Sequence, residues 1–447
     1  MDGKYDGAKA LVLGAGLSGE ASALLLLARG GSVTVADRDA SERVATAMDR
    51  VRQAGGRVLF GTEELPGDTF DVCVASPSFE QRHPWLEACR RRGVPVISEL
   101  ELGAAYWPGR VLAVTGSKGK SSVVKLCADT LEKAGIAASP AGNYGVPLCR
   151  LVLERPDLAW AVTEVSSFQM EQTAAFKPEI AILLNVQPDH LDRHADMAEY
   201  KGLKLKLFAN MDAAGLALLP EGLDDEGRLP RAVPVQRFGG AGADWVYDRH
   251  AVRGLSEGRP VNVRLDGSYF DNEVLGVSAA AAVAALARAG LADGQIEAGF
   301  AAFEPLAHRL QHVATNRRGV RFVDDSKATS LSAMAAALRM TGRPIRLIAG
   351  GLLKEKDLET VKELLTQTTL KVYLIGDCSK QMCRAWASAV PCEEYGTIES
   401  AVDAAAREAQ PGETVLLSPG TASFDQFNSY RERGERFTTR VRAVADL

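Results

Sequence analysis

The fold at the centre of this 447-residue chain follows from one stretch of sequence, Val111-Leu112-Ala113-Val114-Thr115-Gly116-Ser117-Lys118-Gly119-Lys120-Ser121-Ser122. An apolar, β-branched run leads into a glycine-rich turn, and apolar residues at helical spacing then continue towards Gly135. Backbone N–H groups at the start of a helix attract anions, a lysine adds positive charge, and a serine hydroxyl can bind Mg²⁺. The order of strand, glycine loop and helix therefore predicts a site for a nucleoside triphosphate.

The loop departs from the general phosphate-loop pattern at one position. That pattern has a glycine five residues before Gly119, where this chain has Val114. A glycine-rich turn that binds no phosphate is therefore an alternative interpretation of this stretch taken alone.

The composition is that of a globular protein with several domains. A length of 447 residues suggests about two to four domains. The formal charge of −5 argues against a nucleic-acid-binding protein, and the seven cysteines form no C-x-x-C pair, which is typical of reduced thiols. We find no apolar run of the length of a membrane span. From these features we expect a cytoplasmic protein, and we expect it to be a monomer.

The first section, residues 1–107, has the pattern of a βαβ unit. A strand at 10–13 leads into Gly14-Ala15-Gly16-Leu17-Ser18-Gly19, and a second strand ends at Asp37. This glycine spacing, with an acidic residue after the second strand, is typical of a dinucleotide site. The same turn could hold another nucleotide, such as a UDP group, or could be purely structural. A Pro108-Gly109 joint follows the section and suits a domain boundary.

Two further sections, 108–305 and 306–447, also alternate strands with helices. Strands are expected at 111–114, 158–163, 180–185, 320–323, 344–349, 371–375 and 413–418. Helices are expected at 278–289 and 398–409, whereas the polar segment 221–244 indicates loops or short edge strands. The pattern predicts an α/β protein whose mostly parallel sheets have helices on their faces.

Polar side chains follow two strands of the middle section. Glu164 comes after strand 158–163, and His190 comes after strand 180–185. Ligands collect beyond the carboxyl ends of strands in open sheets, so both residues would lie near the phosphate loop if these strands neighbour strand 111–114. A carboxylate and an imidazole beside a triphosphate indicate a Mg²⁺ site. The alternatives are a helix cap at Ser166 or Asp189 and a structural hydrogen bond for His190.

Lys204 lies in a segment, 200–208, in which lysines recur at helical spacing. Periodicity alone indicates the solvated face of an amphipathic helix. The pattern by itself therefore gives Lys204 no chemical role.

Four short polar motifs in the last section follow or border expected strands. They are 306–309 (LAHR), 324–330 (DDSKATS), 350–354 (GGLLK) and 417–427 (LSPGTASFDQF). Each could line a cleft, although each also makes ordinary caps and turns.

Together, these motifs resemble those of the Mur ligases of bacterial cell-wall synthesis. The resemblance covers nearly the whole chain and keeps the motifs in order. They are TG-x-x-GK-S (115–121), A-G-N-x-G-x-P (141–147), E-x-S-S-F-Q (164–169), N-x-x-x-D-H-x-D-R (185–193), H-R (308–309), D-S-K-A-T (325–329), G-G with a following lysine (350–354) and S-P-x-x-A-S-F-D-Q-F (418–427). The S-S-F-Q and A-S-F-D-Q-F motifs are most similar to those of the members that add D-glutamate.

The resemblance implies a three-domain, ATP-dependent ligase of peptidoglycan synthesis. It implies a Rossmann-like domain that binds UDP (1–107), a phosphate-loop ATPase domain (108–305) and a Rossmann-like domain that closes over ATP and amino acid (306–447). The implied substrates are UDP-N-acetylmuramoyl-L-alanine, D-glutamate and ATP, with two Mg²⁺ ions. The resemblance therefore favours UDP over NAD at the first glycine turn.

The resemblance also implies roles for individual residues in substrate binding. The UDP substrate would contact Leu17, Ser18, Asp37, Asn143 and Ser166, and D-glutamate would contact Thr329, Lys354, Ser423 and Tyr430. ATP would contact Gly116, Ser117, Lys118, Gly119, Lys120, Ser121, Ser122, Ser278, Arg309 and Asp325.

Metal ligation and catalysis are implied for a smaller set. The Mg²⁺ ligands would be Ser121, Glu164, His190 and Lys204. Lys204 would be carbamylated, because adding CO₂ turns an ammonium that repels Mg²⁺ into a carboxylate that binds it. The catalytic residues would be Lys120, Glu164, His190, Lys204 and Lys327.

Three positions depart from the family pattern. Lys118 stands where the loop usually has asparagine, and Tyr430 stands where a phenylalanine is common. The family's H-N-x-x-N helix start, whose asparagine contacts the base, is replaced by a segment beginning at Gly276, with Ser278 at the asparagine position. This third departure concerns adenine binding.

Four alternatives remain beside the D-glutamate-adding ligase. Another Mur ligase is one, and a folylpolyglutamate-type ligase is a second, although it would leave residues 1–107 unexplained. An NAD-dependent oxidoreductase would leave the phosphate loop, Glu164 and His190 unexplained. A paralogue that binds the UDP sugar without turnover is supported only by Ser278.

Overall fold

The computed structural model describes residues 3–190, 193–342, 344–353 and 357–444. The chain forms two compact units. The first contains residues 1–271 and 275–303, and the second contains 272–274 and 304–447. Within the described ranges, no helix combines the length and apolar character needed to cross a membrane.

The first sheet has five parallel strands and confirms the βαβ prediction. Its order is β3-β2-β1-β4-β5. In chain order the elements are β1 (Lys9–Leu13), α1 (Leu17–Ala28), β2 (Ser32–Asp37), α2 (Glu42–Ala47), α3 (Asp49–Gln53), β3 (Arg57–Phe60), β4 (Val72–Ala75), α4 (Pro84–Arg91), β5 (Val96–Ser98) and α5 (Glu99–Tyr106). The strands β1 and β4 are almost wholly buried, as expected of a sheet with helices on both faces.

The second sheet lies in the same compact unit and has nine strands. Its elements are β6 (Arg110–Thr115), α6 (Lys120–Lys133), β7 (Ala138–Gly142), α7 (Leu148–Glu154), β8 (Trp160–Glu164), α8 (Ser167–Glu171), β9 (Ile180–Leu183), α9 (Met197–Leu205), β10 (Leu216–Pro220), β11 (Val235–Gly239), β12 (Trp245–Asp248), β13 (Ala251–Ser256), β14 (Arg259–Arg264), α10 (Gly276–Arg288) and α11 (Asp293–Ala301). The order is β14-β13-β12-β11-β10-β9-β6-β8-β7, in which the β12–β13 and β13–β14 pairs are antiparallel and the other pairs are parallel.

The strand that leads into the phosphate loop lies between the two strands that carry the polar motifs. β6 pairs in parallel with β8 on one side and with β9 on the other. Val114 is opposite Glu164, and Thr115 is opposite Leu183. This pairing meets the condition under which Glu164 and His190 were expected near the loop.

The segment 221–244 contains a strand that the sequence pattern placed wrongly. β11 pairs with β10 on one side and β12 on the other, so it is interior to the sheet order rather than at its edge. Its pattern of exposed and half-buried residues explains the error, because only Phe238 in this strand is fully buried.

Buried carboxylates join the first two sheets. The Glu101 carboxylate accepts hydrogen bonds from the backbone N–H groups of Ala174, Ala175 and Phe176 at 2.7–3.1 Å. The Glu99 carboxylate accepts one from the N–H of Cys149 at 2.7 Å, and burial raises the pKa of Glu99 to about 7. These contacts fix α5 against α7 and the segment between α8 and β9.

The second unit is built on a six-stranded sheet of order β15-β16-β20-β17-β18-β19, in which only β15 is antiparallel. Its elements are β15 (Gln311–Thr315), β16 (Arg321–Asp324), α12 (Leu331–Thr341), β17 (Ile345–Gly350), α13 (Lys362–Thr368), β18 (Thr369–Ile375), α14 (Ser379–Trp386), β19 (Cys392–Gly396), α15 (Ile398–Glu408), β20 (Thr414–Leu417) and α16 (Tyr430–Val444). The predicted α/β class, with mostly parallel sheets, is confirmed in both units.

The Glu101 contacts give a stability prediction. Replacing Glu101 with alanine leaves three N–H groups without their acceptor in a site where Glu101 is only 5% exposed. We expect the free energy of unfolding in urea to fall by about 2–5 kcal/mol. The control is Glu87→Ala, which removes an exposed carboxylate of α4. Equal unfolding midpoints for the two variants would contradict this account.

Candidate functional site

The phosphate loop has the backbone geometry that its glycines permit. Gly116 (φ 147°) and Gly119 (φ 86°) both lie in the left-handed region, and α6 begins directly after Gly119. A Cβ atom at Gly116 would also lie 3.1 Å from the Cβ of Leu184. Gly135 (φ 82°) follows the other end of α6, as predicted. Ser121 is half-buried in the first turn, and Ser122 is buried.

The loop is braced from the segment after β9. The side-chain oxygen of Asn185 accepts hydrogen bonds from the N–H groups of Ser117 (3.1 Å) and Lys118 (2.9 Å). The Ser117 hydroxyl donates to the carbonyl of Gln187 and accepts from its N–H, both at 2.9 Å. Sequence reasoning quoted Asn185 as part of a motif without giving it this role.

Two lysine amines meet at one carbonyl oxygen. The Nζ atoms of Lys120 and Lys204 each donate a hydrogen bond of 2.8 Å to the carbonyl of Gly116. Lys204 is 1% exposed, so its interpretation as part of a solvated helix face is wrong. Burial, with the nearby Lys120 charge, lowers the pKa of Lys204 to about 7. Its ammonium also lies 4.2 Å from the ring centre of Tyr200.

Glu164 presents an oxygen suited to a cation. Its Oε1 accepts a hydrogen bond of 2.7 Å from the side chain of Asn143, while Oε2 is buried and has no hydrogen-bond partner among the described residues. An unpaired carboxylate oxygen inside a protein is costly unless a ligand or ion meets it. The donor chemistry therefore fits Mg²⁺, which usually binds one or two carboxylates together with phosphate oxygens and water.

His190 occupies a strained position at the edge of this region. Its backbone is left-handed (φ 55°), and its imidazole is about half exposed. Nε2 lies 3.8 Å from Oδ2 of Asp189, which also lies 3.4 Å from the Lys118 amine. The ring contacts Phe168 edge-on with centres 4.8 Å apart. The described residues contain no group of three or more His, Cys, Asp or Glu side chains that could bind a metal.

Two other predicted residues of the second sheet have clear positions. Ser166 caps α8 in a reciprocal capping box with Gln169, which is the structural alternative considered for it. Ser278 lies in the first turn of α10, with its hydroxyl 3.7 Å from where a Cβ of Gly119 would be. Ser278 therefore lies beside the phosphate loop.

The first glycine turn is compact and partly open. A Cβ at Gly19 would lie 1.8 Å from the carbonyl oxygen of Gly14, so this position requires glycine. The Asp37 carboxylate accepts a hydrogen bond from the N–H of Ala15 at 2.7 Å, which closes the turn. Leu17 is 67% exposed at the start of α1, and Ser18 is half-buried.

In the second unit, acidic residues at the end of β16 are buried and hydrogen-bonded. Asp324 accepts from Nδ1 of His308 at 2.7 Å. Asp325 accepts from the Ser418 hydroxyl (2.9 Å) and the Leu310 N–H (3.2 Å), and burial raises the pKa of Asp325 to about 7. Arg309, the residue that follows His308 in the chain, is half-buried.

The other predicted residues of this unit that fall within the described ranges lie near the start of α16 or follow β16 and β20. The Lys327 amine lies 4.2 Å from the ring centre of Tyr430. Thr329 is half-buried and Ser423 is buried, whereas Lys354 lies outside the described residues. Sequence reasoning missed Arg433, which is fully buried and donates to the carbonyls of Ser326 (2.9 Å) and Thr421 (3.1 Å). A single arginine within a polar helix gives no signal of this role.

The phosphate loop and the side chains around it are typical of one class of protein. A glycine loop between a buried strand and a helix, with two lysines and a buried carboxylate around it, is the arrangement of a phosphate-binding α/β protein.

Comparison with known proteins identifies the family. Residues 114–266 match the Mur ligase middle domain, and residues 308–420 match the Mur ligase glutamate ligase domain. Proteins named UDP-N-acetylmuramoylalanine–D-glutamate ligase from Koribacter versatilis and Nitratidesulfovibrio vulgaris are 34% and 36% identical to this chain, over 98% of it and over 98% and 96% of their own lengths. The chain belongs to the Mur ligase family.

A solved structure has the same fold. The UDP-N-acetylmuramate-alanine ligase MurC of Thermotoga maritima aligns over 98% of this chain and 99% of its own length, with a TM-score of 0.60 and 16% identity. At that identity the match concerns the fold alone.

The burial of Lys204 gives a pH prediction. The pKa of this amine is about 7 in the folded state and 10.5 ordinarily, so the unfolded chain binds more protons between these values. The free energy of unfolding therefore rises with pH between about 7 and 10.5, and this gain is lost as the pH falls back to about 7. We expect Lys204→Met to reduce the rise in stability between pH 7 and 9, measured by urea unfolding in CO₂-free buffer. Parallel pH profiles for the variant and the original protein would contradict a buried amine.

Proposed function

We propose that this protein joins D-glutamate to UDP-N-acetylmuramoyl-L-alanine with ATP, in peptidoglycan synthesis. The observation that carries this proposal is the phosphate loop with the Lys120 and Lys204 amines on the Gly116 carbonyl and the unpaired Oε2 of Glu164 nearby on β8. The names and near-complete coverage of the relatives support the substrates.

The reaction needs an activated carboxylate. An oxygen of the alanyl carboxylate attacks the γ-phosphorus of ATP, which releases ADP and gives an acyl phosphate. The amine of D-glutamate then attacks the acyl carbon, and the tetrahedral intermediate expels inorganic phosphate as the amide forms. The protein's contribution to such phosphoryl transfer is mainly positioning and charge neutralisation.

The loop residues of the first unit would bind the ATP phosphates. The N–H groups of Gly116–Ser122 and the start of α6 favour negative charge. The Lys120 amine, which now bonds the Gly116 and Ser117 carbonyls, would turn towards a phosphate oxygen. Ser278, whose hydroxyl lies beside the phosphate loop, would contact the nucleotide in place of the usual asparagine.

Mg²⁺ would be held by Ser121, Glu164 and His190. When bound, it would neutralise charge on the phosphate oxygens. The buried Oε2 of Glu164 supports this assignment, and Asn143 keeps the other carboxylate oxygen occupied.

Lys204 would complete this set as a carbamate. Burial of the amine favours its neutral form over the ammonium, and the nearby Lys120 charge favours a negative group at this position. Addition of CO₂ to the neutral amine gives a carbamate and releases one proton.

The substrate residues divide between the two units. In the first, Leu17, Ser18 and Asp37 would bind the uridine nucleotide at the open glycine turn of domain 1–107, and Asn143 and Ser166 in domain 108–305 would face the rest of that substrate. In the second, residues of domain 306–447 would contribute to ATP and amino-acid binding; they are Arg309, Asp325, Lys327, Thr329, Lys354, Ser423 and Tyr430.

Phosphate release tests this function. With ATP, Mg²⁺ and UDP-N-acetylmuramoyl-L-alanine, we expect release that requires D-glutamate and is not supported by L-glutamate or glycine. Lys120→Ala should lower kcat by at least about 100-fold, because it removes the cation at the phosphates. Release with another amino acid would indicate a different Mur ligase. Binding of the UDP substrate without any phosphate release would indicate a paralogue that binds the UDP sugar without turnover.

The carbamate is tested by carbon NMR. Protein equilibrated with ¹³C-bicarbonate at pH 8 should show a carbamate signal besides that of the α-amino group, because the Lys204 amine is neutral above about pH 7. Lys204→Ala should lack this signal, while Lys206→Ala, which replaces a half-buried lysine bonded to the Met170 carbonyl, should keep it. Survival of this signal in Lys204→Ala would assign the carbamate elsewhere.

A further inference from the structure

Arg193 makes an unusually complete set of contacts in the first unit. Its Nη1 donates to the carbonyl of Pro77 at 2.7 Å, and its Nη2 donates to the carbonyl of Phe79 at 2.8 Å. On its other side Nε and Nη2 bind the Glu171 carboxylate at 3.0 and 2.9 Å. Both side chains are largely buried, at 12% and 3% exposed. Such a bidentate pair holds its partners in one orientation.

The two carbonyls belong to the loop that follows β4 of the first sheet. This loop lies directly against the first glycine turn. A Cβ at Gly14 would be 2.8 Å from the Cβ of Ser76 and 3.5 Å from the ring of Phe79. The position of the loop therefore bears on the turn that would hold the uridine nucleotide.

The other side of Arg193 faces the phosphate-loop region. Its guanidinium lies 4.1 Å from the ring centre of Phe168 in α8, and the same ring contacts the imidazole of His190. Glu171 lies at the end of α8, the helix that follows Glu164. One arginine thus touches the supports of both candidate sites.

We propose that Arg193 is a positioning residue that sets the distance between the uridine-nucleotide turn and the phosphate loop. It does so by holding the Pro77–Phe79 loop against α8 and the Phe168 ring. This inference rests on the proposed function, because it concerns how the alanyl carboxylate is aligned with the γ-phosphate of ATP. A displacement of about 1 Å between reacting groups can cost about 100-fold in rate.

The test compares Arg193→Met and Arg193→Lys with Arg92→Met as a matched control. Arg92 also donates to a backbone carbonyl, that of Pro66 between β3 and β4 at 2.9 Å, but its side chain is exposed. In both Arg193 variants we expect kcat for D-glutamate-dependent phosphate release to fall by about 10- to 100-fold. We expect Kd for UDP and KM for ATP to stay within about twofold, because each site remains intact by itself. Arg92→Met should match the original protein in all three quantities.

Thermal unfolding shows whether each variant is folded, so that a loss of kcat can be assigned to misaligned substrates rather than to unfolding. The assays are run below the unfolding midpoint of every variant, and Arg193→Lys retains the charge if Arg193→Met does not fold. Unchanged kcat in folded Arg193→Lys and Arg193→Met would overturn the proposal. So would a loss of UDP affinity as large as the loss of kcat, because Arg193 would then support the nucleotide turn alone. If the original protein itself shows no D-glutamate-dependent release, the proposed function fails rather than the role of Arg193.

Discussion

The carbonyl oxygen of Gly116 organises the charged centre of the first unit, because it accepts hydrogen bonds from two lysine amines at once. One amine comes from the start of α6 and the other from α9, so the helices are tied together at the phosphate loop. Burial is the main cause of the low pKa of Lys204, and repulsion between two ammonium groups this close lowers that pKa further. An anion bound beside the two amines, or conversion of one amine into an anion, would relieve that repulsion.

The region around this centre is held by polar contacts that leave little freedom. Asn185 braces the loop from the end of β9, and Glu101 accepts three backbone N–H groups between the first two sheets. Arg193 adds a third tie close to both candidate sites. A reaction that depends on alignment of two substrates benefits from such fixed geometry, since binding then supplies orientation as well as affinity.

The second unit uses buried charge in a similar way. Asp325 and Arg433 are both buried, and burial lowers the pKa of Arg433 to about 10 although acidic groups lie near it. Their partners are the N–H of Leu310, just before β15, and backbone groups and hydroxyls of the loops that follow β16 and β20. These loops carry Lys327 and Ser423, so the buried pairs hold in place the segments expected to meet ATP and amino acid.

Hydrophobic periodicity and glycine spacing are local properties of the sequence, so they predict the α/β class, the phosphate loop and the polar segments after β8 and β9 that carry Glu164 and His190. It did not predict β7, whose residues Ala138–Gly142 include a proline and a glycine yet pair with β8 at the sheet edge. The burial of Lys204 and the contacts of Arg193 are visible only in the tertiary structure. Helical spacing places Lys204 on a face, but the burial of that face, and the carbonyls that Arg193 meets, depend on segments far away in the chain.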